Sequence, residues 1–123
     1  MNARLTGRRI FVVEDEWLIA ADLTEHLERS GAIIVGPASS VREALKTLST
    51  LDRLPDVASL DLKLSDGTSV QIAEELGRLG VPFIFVTGSP ELIPECFRMC
   101  LACPKPILAR AWLNALAEVI EGQ

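Results

Sequence analysis

The chain has 123 residues, 49% of them hydrophobic, and twelve Lys and Arg against seventeen Asp and Glu leave a formal net charge of -5. This length fits one compact domain over residues 1–123, with a core of about residues 8–121, and the negative balance repels a phosphate backbone, so nucleic acid is not an expected partner. No apolar run approaches the roughly 20 residues of a membrane-spanning helix, which excludes a membrane protein of that kind.

The start of the chain carries Arg4, Arg8 and Arg9 before a short apolar stretch that stops at Glu14, Asp15 and Glu16. That is not a signal peptide, and a soluble, cytoplasmic protein is expected. Residues 10–13 form a continuous apolar run of the kind buried on both faces of a parallel sheet. Ile19, Leu23 and Leu27 then recur at helical spacing with Asp22, Glu25 and Glu28 between them, until Gly31 ends the helix. Residues 33–35 read as the second strand. Ser40 caps a helix whose inner face is Val41, Leu45 and Leu48, with Glu43 at the capping-box position. Residues 52–56, with Pro55, are a loop.

A third strand over residues 57–60 runs into Asp61, and Ser65-Asp66-Gly67 supplies turn chemistry before a helix with Ile72, Ala73, Leu76 and Leu79 inside. Residues 81–86 are the fourth strand, broken by Thr87-Gly88-Ser89-Pro90, after which Pro94 opens a short helix at its first position. Residues 101–103 form the fifth strand, and Trp112, Ala115, Leu116, Val119 and Ile120 mark a closing fifth helix.

Cys96, Cys100 and Cys103 are the chain's three cysteines, an odd number that argues against a disulfide framework. Their C-x3-C-x2-C spacing matches the cluster motif of radical S-adenosylmethionine enzymes. Such a barrel needs roughly 200 residues or more and would carry the motif near its first strand. Three small buried hydrophobes are the expectation instead.

Five strands alternating with five helices imply an α/β domain, a doubly wound parallel sheet of flavodoxin-like order 2-1-3-4-5 covered on both faces. Ligands of such a sheet bind outside the carboxyl ends of its strands, where the order reverses between the first and third. Both of those ends are acidic here: Glu14, Asp15 and Glu16 on one, Asp61 on the other. Converging carboxylates repel one another, and a hard dication held by oxygens resolves the repulsion, with magnesium suited to a few carboxylates, water and a phosphate. Thr87 and Lys105 would lie at the same edge. A cation, a hydroxyl and an ammonium around a carboxylate nucleophile are what phosphoryl transfer needs, because charge spreads over three oxygens in its transition state.

The segments Val12-Val13-Glu14-Asp15-Glu16, Asp61-Leu62-Lys63-Leu64-Ser65-Asp66-Gly67, Val86-Thr87-Gly88 and Lys105-Pro106, in this order, resemble the receiver domains of two-component response regulators over nearly the whole chain. The resemblance implies that Asp61 accepts a phosphoryl group from a sensor histidine kinase or a histidine phosphotransfer protein. It implies Mg2+, or Mn2+, held by Glu14, Asp15, Asp61 and the backbone carbonyl of Lys63, with Thr87 and Lys105 on the phosphate and a cis Lys105-Pro106 bond aiming the ammonium at the site. It implies signalling rather than a conventional enzyme, in a stand-alone monomer or weak homodimer with a possible downstream protein target and no output domain after residue 123.

Receivers usually carry Tyr or Phe three residues before this lysine, as a switch that moves with the threonine; Ala102 stands there. Residues 82–88, Pro-Phe-Ile-Phe-Val-Thr-Gly, resemble the FAT-GUY subgroup, which lacks that aromatic and has a reduced fourth helix, although Val86 and Ser89 depart from its motif. Among plainer assignments, Glu16 is a helix N-terminal charge, Asp66 and Gly67 shape a turn, and His26 is solvated or partner surface. Trp17 and Trp112 belong either to the core or to a docking surface, and Trp17 is the better candidate for contact. Two other functions compete: an unphosphorylated pseudo-receiver that binds a partner, motivated by Ala102, and an aspartyl phosphatase, which would want a second aspartate where Lys63 stands.

Overall fold

The computed structural model describes residues 2–122. Its sheet consists of β1 (Arg9–Val13), β2 (Ile33–Ala38), β3 (Val57–Asp61), β6 (Phe83–Thr87) and β7 (Ala102–Pro104), all parallel, in the order β2-β1-β3-β6-β7. The expected 2-1-3-4-5 order is therefore the observed one. A small antiparallel hairpin, β4 (Lys63–Leu64) with β5 (Gly67–Thr68), follows β3. The helices are α1 (Trp17–Arg29), α2 (Val41–Thr50), α3 (Val70–Leu79) and α4 (Ala109–Glu121).

The unbroken apolar run of β1 has its reason in the two faces of the sheet. Phe11 and Val13 point into a core with Ala58, Leu60, Phe83 and Phe85, closed by Val41, Ala44 and Leu48 of α2 and by Ile72, Ala73 and Leu76 of α3. Ile10 and Val12 point into the other with Val57, Ile84 and Val86, closed by Leu23 and Leu27 of α1 and by Trp112, Leu113 and Leu116 of α4. Period-two alternation thus sends apolar residues to both sides, and after Arg9 no position of β1 is left for a polar side chain. The polar exception in the middle of β3, Ser59, accepts a hydrogen bond from Trp112 Nε1 at 2.9 Å. Before β1, a short 3-10 turn (Ala3–Leu5) buries Leu5 against α4, and Arg4 pairs with Glu121.

Turn chemistry follows the sequence closely. Ser40 Oγ accepts the amide of Glu43 at 3.0 Å, the first half of the capping box, while the Glu43 carboxylate takes the Ser39 hydroxyl instead of closing the second half. Gly36, at φ +88°, interrupts β2 where a β-carbon would lie 2.9 Å from the amide of Ala38 and 3.2 Å from the carbonyl of Val12. The space there admits glycine alone.

One expected element is missing. In place of a helix between the fourth and fifth strands of the sheet, two 3-10 turns form, Pro90–Leu92 and Glu95–Phe97. A helix begun at Pro90 would carry Pro94 in its interior, where the ring removes a backbone donor and meets the carbonyl four residues back. Pro94 consequently precedes the second turn with extended backbone instead of opening a helix. This is the reduction that the subgroup resemblance implies. The cysteines also depart from expectation: Cys103 is buried, but Cys100 is half-buried and Cys96 is exposed in the second turn, whose inward-facing residue is Phe97.

Candidate functional site

The carboxyl ends of β1, β3 and β6 meet at one edge. Strand β1 delivers Glu14, only 2% exposed, strand β3 ends in Asp61 at 4%, and strand β6 ends in Thr87 at 5%. Neighbouring strands in register set this meeting: Val13 lies opposite Leu60, and Asp61 opposite Val86. Oxygens of Glu14, Asp15 and Asp61 all lie within 4.8 Å of one another. Lys105, just past β7, places Nζ 2.9 Å from Asp61 Oδ1 and 3.9 Å from Glu14 Oε1. The Lys105-Pro106 bond is cis.

Burial of these groups has electrostatic consequences. The Glu14 carboxyl is pushed up to about 7, chiefly by desolvation, with the Asp61 charge adding to it, while the amide of Glu16, which donates to Glu14 Oε2 at 3.1 Å, and Lys105 pull it down. Asp61 is raised as well, again by burial first, against the hydrogen bond and charge of Lys105. For Lys105 burial works against the ammonium, yet the hydrogen bond and charge of Asp61, together with Glu14 and Glu16, outweigh it and hold its pKa above the ordinary value. Like-charged acids this close are costly when all are ionised, and one ammonium offsets only part of the cost.

A crevice of about 280 Å3 opens over these groups, lined by Asp15, Glu16, Asp61, Lys63, Thr87, Gly88, Ser89 and Lys105. Thr87 Oγ1 accepts the amide of Ser89 at 3.0 Å, which orients the hydroxyl at the rim. All six residues expected from sequence therefore surround one place: Asp15, Asp61, Lys63, Thr87 and Lys105 line the crevice, and Glu14 lies behind it against Lys105.

Sequence reasoning passed over two residues. Glu16 does begin α1, but its side chain makes no cap hydrogen bond and lines the crevice. Its adjacency to Asp15 was the available signal. Asp66, as expected, is a turn residue, yet its carboxylate reaches 25 residues back in sequence to the amides of Val41 and Arg42. Nothing in local spacing could indicate that partner. The two tryptophans divide: Trp112 is fully buried, whereas Trp17, beside the acids, is 79% exposed. His26 lies 3.6 Å from Asp22 on α1, remote from the crevice residues.

With acids, hydroxyl and ammonium gathered at the carboxyl edge of a 2-1-3-4-5 sheet, comparison with known proteins is decisive, because the family model for the response regulator receiver domain matches residues 10–99. The chain belongs to the response regulator receiver family. The match stops short of Lys105, which the fold of this receiver brings to Asp61. The phyllosphere-induced regulator PhyR of Methylorubrum extorquens is 38% identical over 84 residues, 67% of this chain and 31% of that protein. The receiver thus spans about a third of that curated relative. Among solved structures, the response regulator PhyR from Brucella abortus superposes with a TM-score of 0.83 at 27% identity, over 98% of this chain and 50% of that one. SdrG from Sphingomonas melonis Fr1 aligns with a TM-score of 0.76 at 35% identity, over 98% of this chain and 99% of that one.

Proposed function

We propose that this receiver takes up a phosphoryl group on Asp61 from the phosphohistidine of a sensor histidine kinase or a histidine phosphotransfer protein, and that it acts as a signalling phosphoacceptor. The observation that carries the reading is the gathering of Glu14, Asp15 and Asp61 within 4.8 Å, with Lys105 at 2.9 Å from Asp61. Three carboxylates against one ammonium leave an excess of two negative charges, which a dication cancels. Burial first, and the Asp61 charge after it, push Glu14 up to about 7, and a nearby dication would favour its ionised form.

Glu14, Asp15, Asp61 and the backbone carbonyl of Lys63 form an all-oxygen donor set suited to Mg2+ or Mn2+. Bound there, the ion would neutralise charge on the phosphoryl oxygens. The chain's own groups do the rest. An Asp61 oxygen forms the new bond to phosphorus as the phosphorus–nitrogen bond of the phosphohistidine breaks, and the histidine leaves with the electron pair of that bond. Lys105, released from its pairing with Asp61, and the Thr87 hydroxyl then receive the phosphoryl oxygens.

The donor has a place to dock. Beside the crevice runs a groove of about 440 Å3, lined by Leu18, Ile19, Leu23, Pro106 and Ile107 with Asp22 and Lys105 at its edge. Leu18 is exposed in this lining, and apolar surface of this kind marks partner sites; exposed Trp17 belongs to a separate depression on the other side of α1, with Ala20, Ala21 and Thr24.

Incubation with Mg2+ and a small acyl phosphate, followed by intact mass, tests the reading. One added phosphoryl group is expected on the native chain, and none on Asp61→Asn or after chelation of the metal. A folded native chain that stays unmodified would favour the pseudo-receiver.

A further inference from the structure

The hairpin that follows Asp61 carries Lys63, whose carbonyl the proposed site assigns to the metal, and that hairpin is slight. Its ladder consists of Lys63 opposite Thr68 and Leu64 opposite Gly67. A two-residue ladder holds no geometry by itself in water. At its base it is pinned to the sheet, since the amide of Leu62 donates to Val86 O at 3.1 Å and the amide of Ser69 to Leu62 O at 2.9 Å. At its tip it is pinned by Asp66: Oδ1 accepts the amide of Val41 at 2.8 Å and Oδ2 the amide of Arg42 at 3.1 Å.

Those two amides open α2, where helix N-terminal donors lack intrahelical partners and the macrodipole favours a negative charge. Ser40 satisfies the next donor, Glu43. The helix end is therefore capped jointly by its own residue and by one from the hairpin. Packing follows the same line: Leu64 shares a core with Val41, and a β-carbon on Gly67 would come within 3.9 Å of Val41 Cγ2. Helix α2 is itself fixed to the sheet through Ala44 and Leu48.

We infer that Asp66 is a positioning residue for metal binding: its carboxylate clasps the first turn of α2 and so holds the hairpin that presents the Lys63 carbonyl. The inference rests on the proposed metal site. A dication that demands near-ideal geometry gains from a carbonyl fixed before it arrives, and groups that orient a ligand change metal affinity when removed.

Calorimetric titration with Mg2+, without phosphodonor and well below the melting temperature, tests it on three variants. Asp66→Ala should raise the Mg2+ dissociation constant by about tenfold. Asp66→Asn keeps one acceptor without the charge and should fall between. Ser40→Ala removes a cap from the same helix end without touching the hairpin, so it should lower the melting temperature and leave the Mg2+ constant unchanged. At saturating Mg2+ the Asp66 variants should reach the native extent of phosphorylation by acyl phosphate.

Native affinity in Asp66→Ala, or an equal loss in Ser40→Ala, would overturn the inference. Should Asp66→Ala fail to fold, the comparison of Asp66→Asn with Ser40→Ala decides by the same criterion. Absence of Mg2+ binding by the native chain would instead refute the metal site itself, and the role of Asp66 with it.

Discussion

At the crevice, Glu14, Asp61 and Thr87 are nearly inaccessible and come from three different strands, so their positions are set by ladders between residues far apart in sequence. A few residues on, between β6 and β7, the chain is held chiefly by short-range bonds: Leu92 to Ser89, Ile93 to Pro90, Phe97 to Pro94, Arg98 to Glu95 and Cys100 to Phe97. There Leu92 and Cys96 are exposed and Met99 is 97% exposed. Long-range ladders leave little freedom, whereas single 3-10 turns open cheaply. The first region is built to keep one geometry, and the second, which leads into β7 where Ala102 stands at the place of the usual switch aromatic, is held less firmly. Substitutions should accordingly alter chemistry in one region and stability alone in the other.

The largest effect is expected from Lys105→Ala. It removes the 2.9 Å pairing with Asp61 and the ammonium available to the phosphoryl oxygens, and should slow phosphorylation by acyl phosphate on the order of a hundredfold. Rates from intact mass against time measure this. An unchanged rate would mean that the ammonium only balances buried acid, and the contrast between the regions would lose its chemical half.

A smaller effect, in stability, comes from Glu14. Its carboxyl titrates near 7 in the fold against an ordinary value of 4.5, so between those values the folded chain binds more protons than the unfolded one. Stability of the metal-free protein should therefore fall as pH rises from about 4.5 to about 7, with Glu14 contributing on the order of 3 kcal/mol. Lys105, raised above its ordinary value, contributes stability that is lost only at strongly alkaline pH and does not enter this window. Asp61, also raised by burial, contributes in the same direction, so Glu14→Gln should reduce the slope without abolishing it, whereas Mg2+ binds the ionised acids and should flatten or reverse it. Thermal melts across this pH range check all three statements; a slope rising with pH in metal-free native protein would contradict the burial argument.

Much of the crevice was legible in the sequence because parallel strands bring their carboxyl ends to one edge, so acids following two apolar runs had to meet. The grouping of Asp15, Asp61, Thr87 and Lys105 follows from that, whereas the strand order is expected from the five-fold alternation of strand and helix. What was not legible depended on partners that no local spacing encodes. Asp66 reads as a turn residue until α2 is seen beside it, and nothing near Ser59 in sequence names Trp112 as its donor. The stretch after Thr87 misled for another reason. Its Pro94 matches a helix start, but the same ring forbids a longer helix begun four residues earlier at Pro90, and that weight shows only once the backbone conflict is considered.

The smallest effects test the second region. Phe97 meets Phe83 and Phe85 edge to face at 5.7 and 5.9 Å, and with buried Ile93 it anchors the turns to the sheet. Phe97→Ala should lower stability by about 1–2 kcal/mol, less than a fully buried phenylalanine would, because the ring is only partly buried. Met99→Ser should change stability by no more than about 0.5 kcal/mol. Both variants should retain native Mg2+ affinity, since the chemical edge draws its geometry from β1, β3 and β6. A bond from the Ser89 amide to Thr87 Oγ1 joins the regions at the very start of the irregular stretch. If denaturant melts give these values but Phe97→Ala also weakens Mg2+ binding, that bond transmits the state of the turns to the threonine, and the two regions act as one.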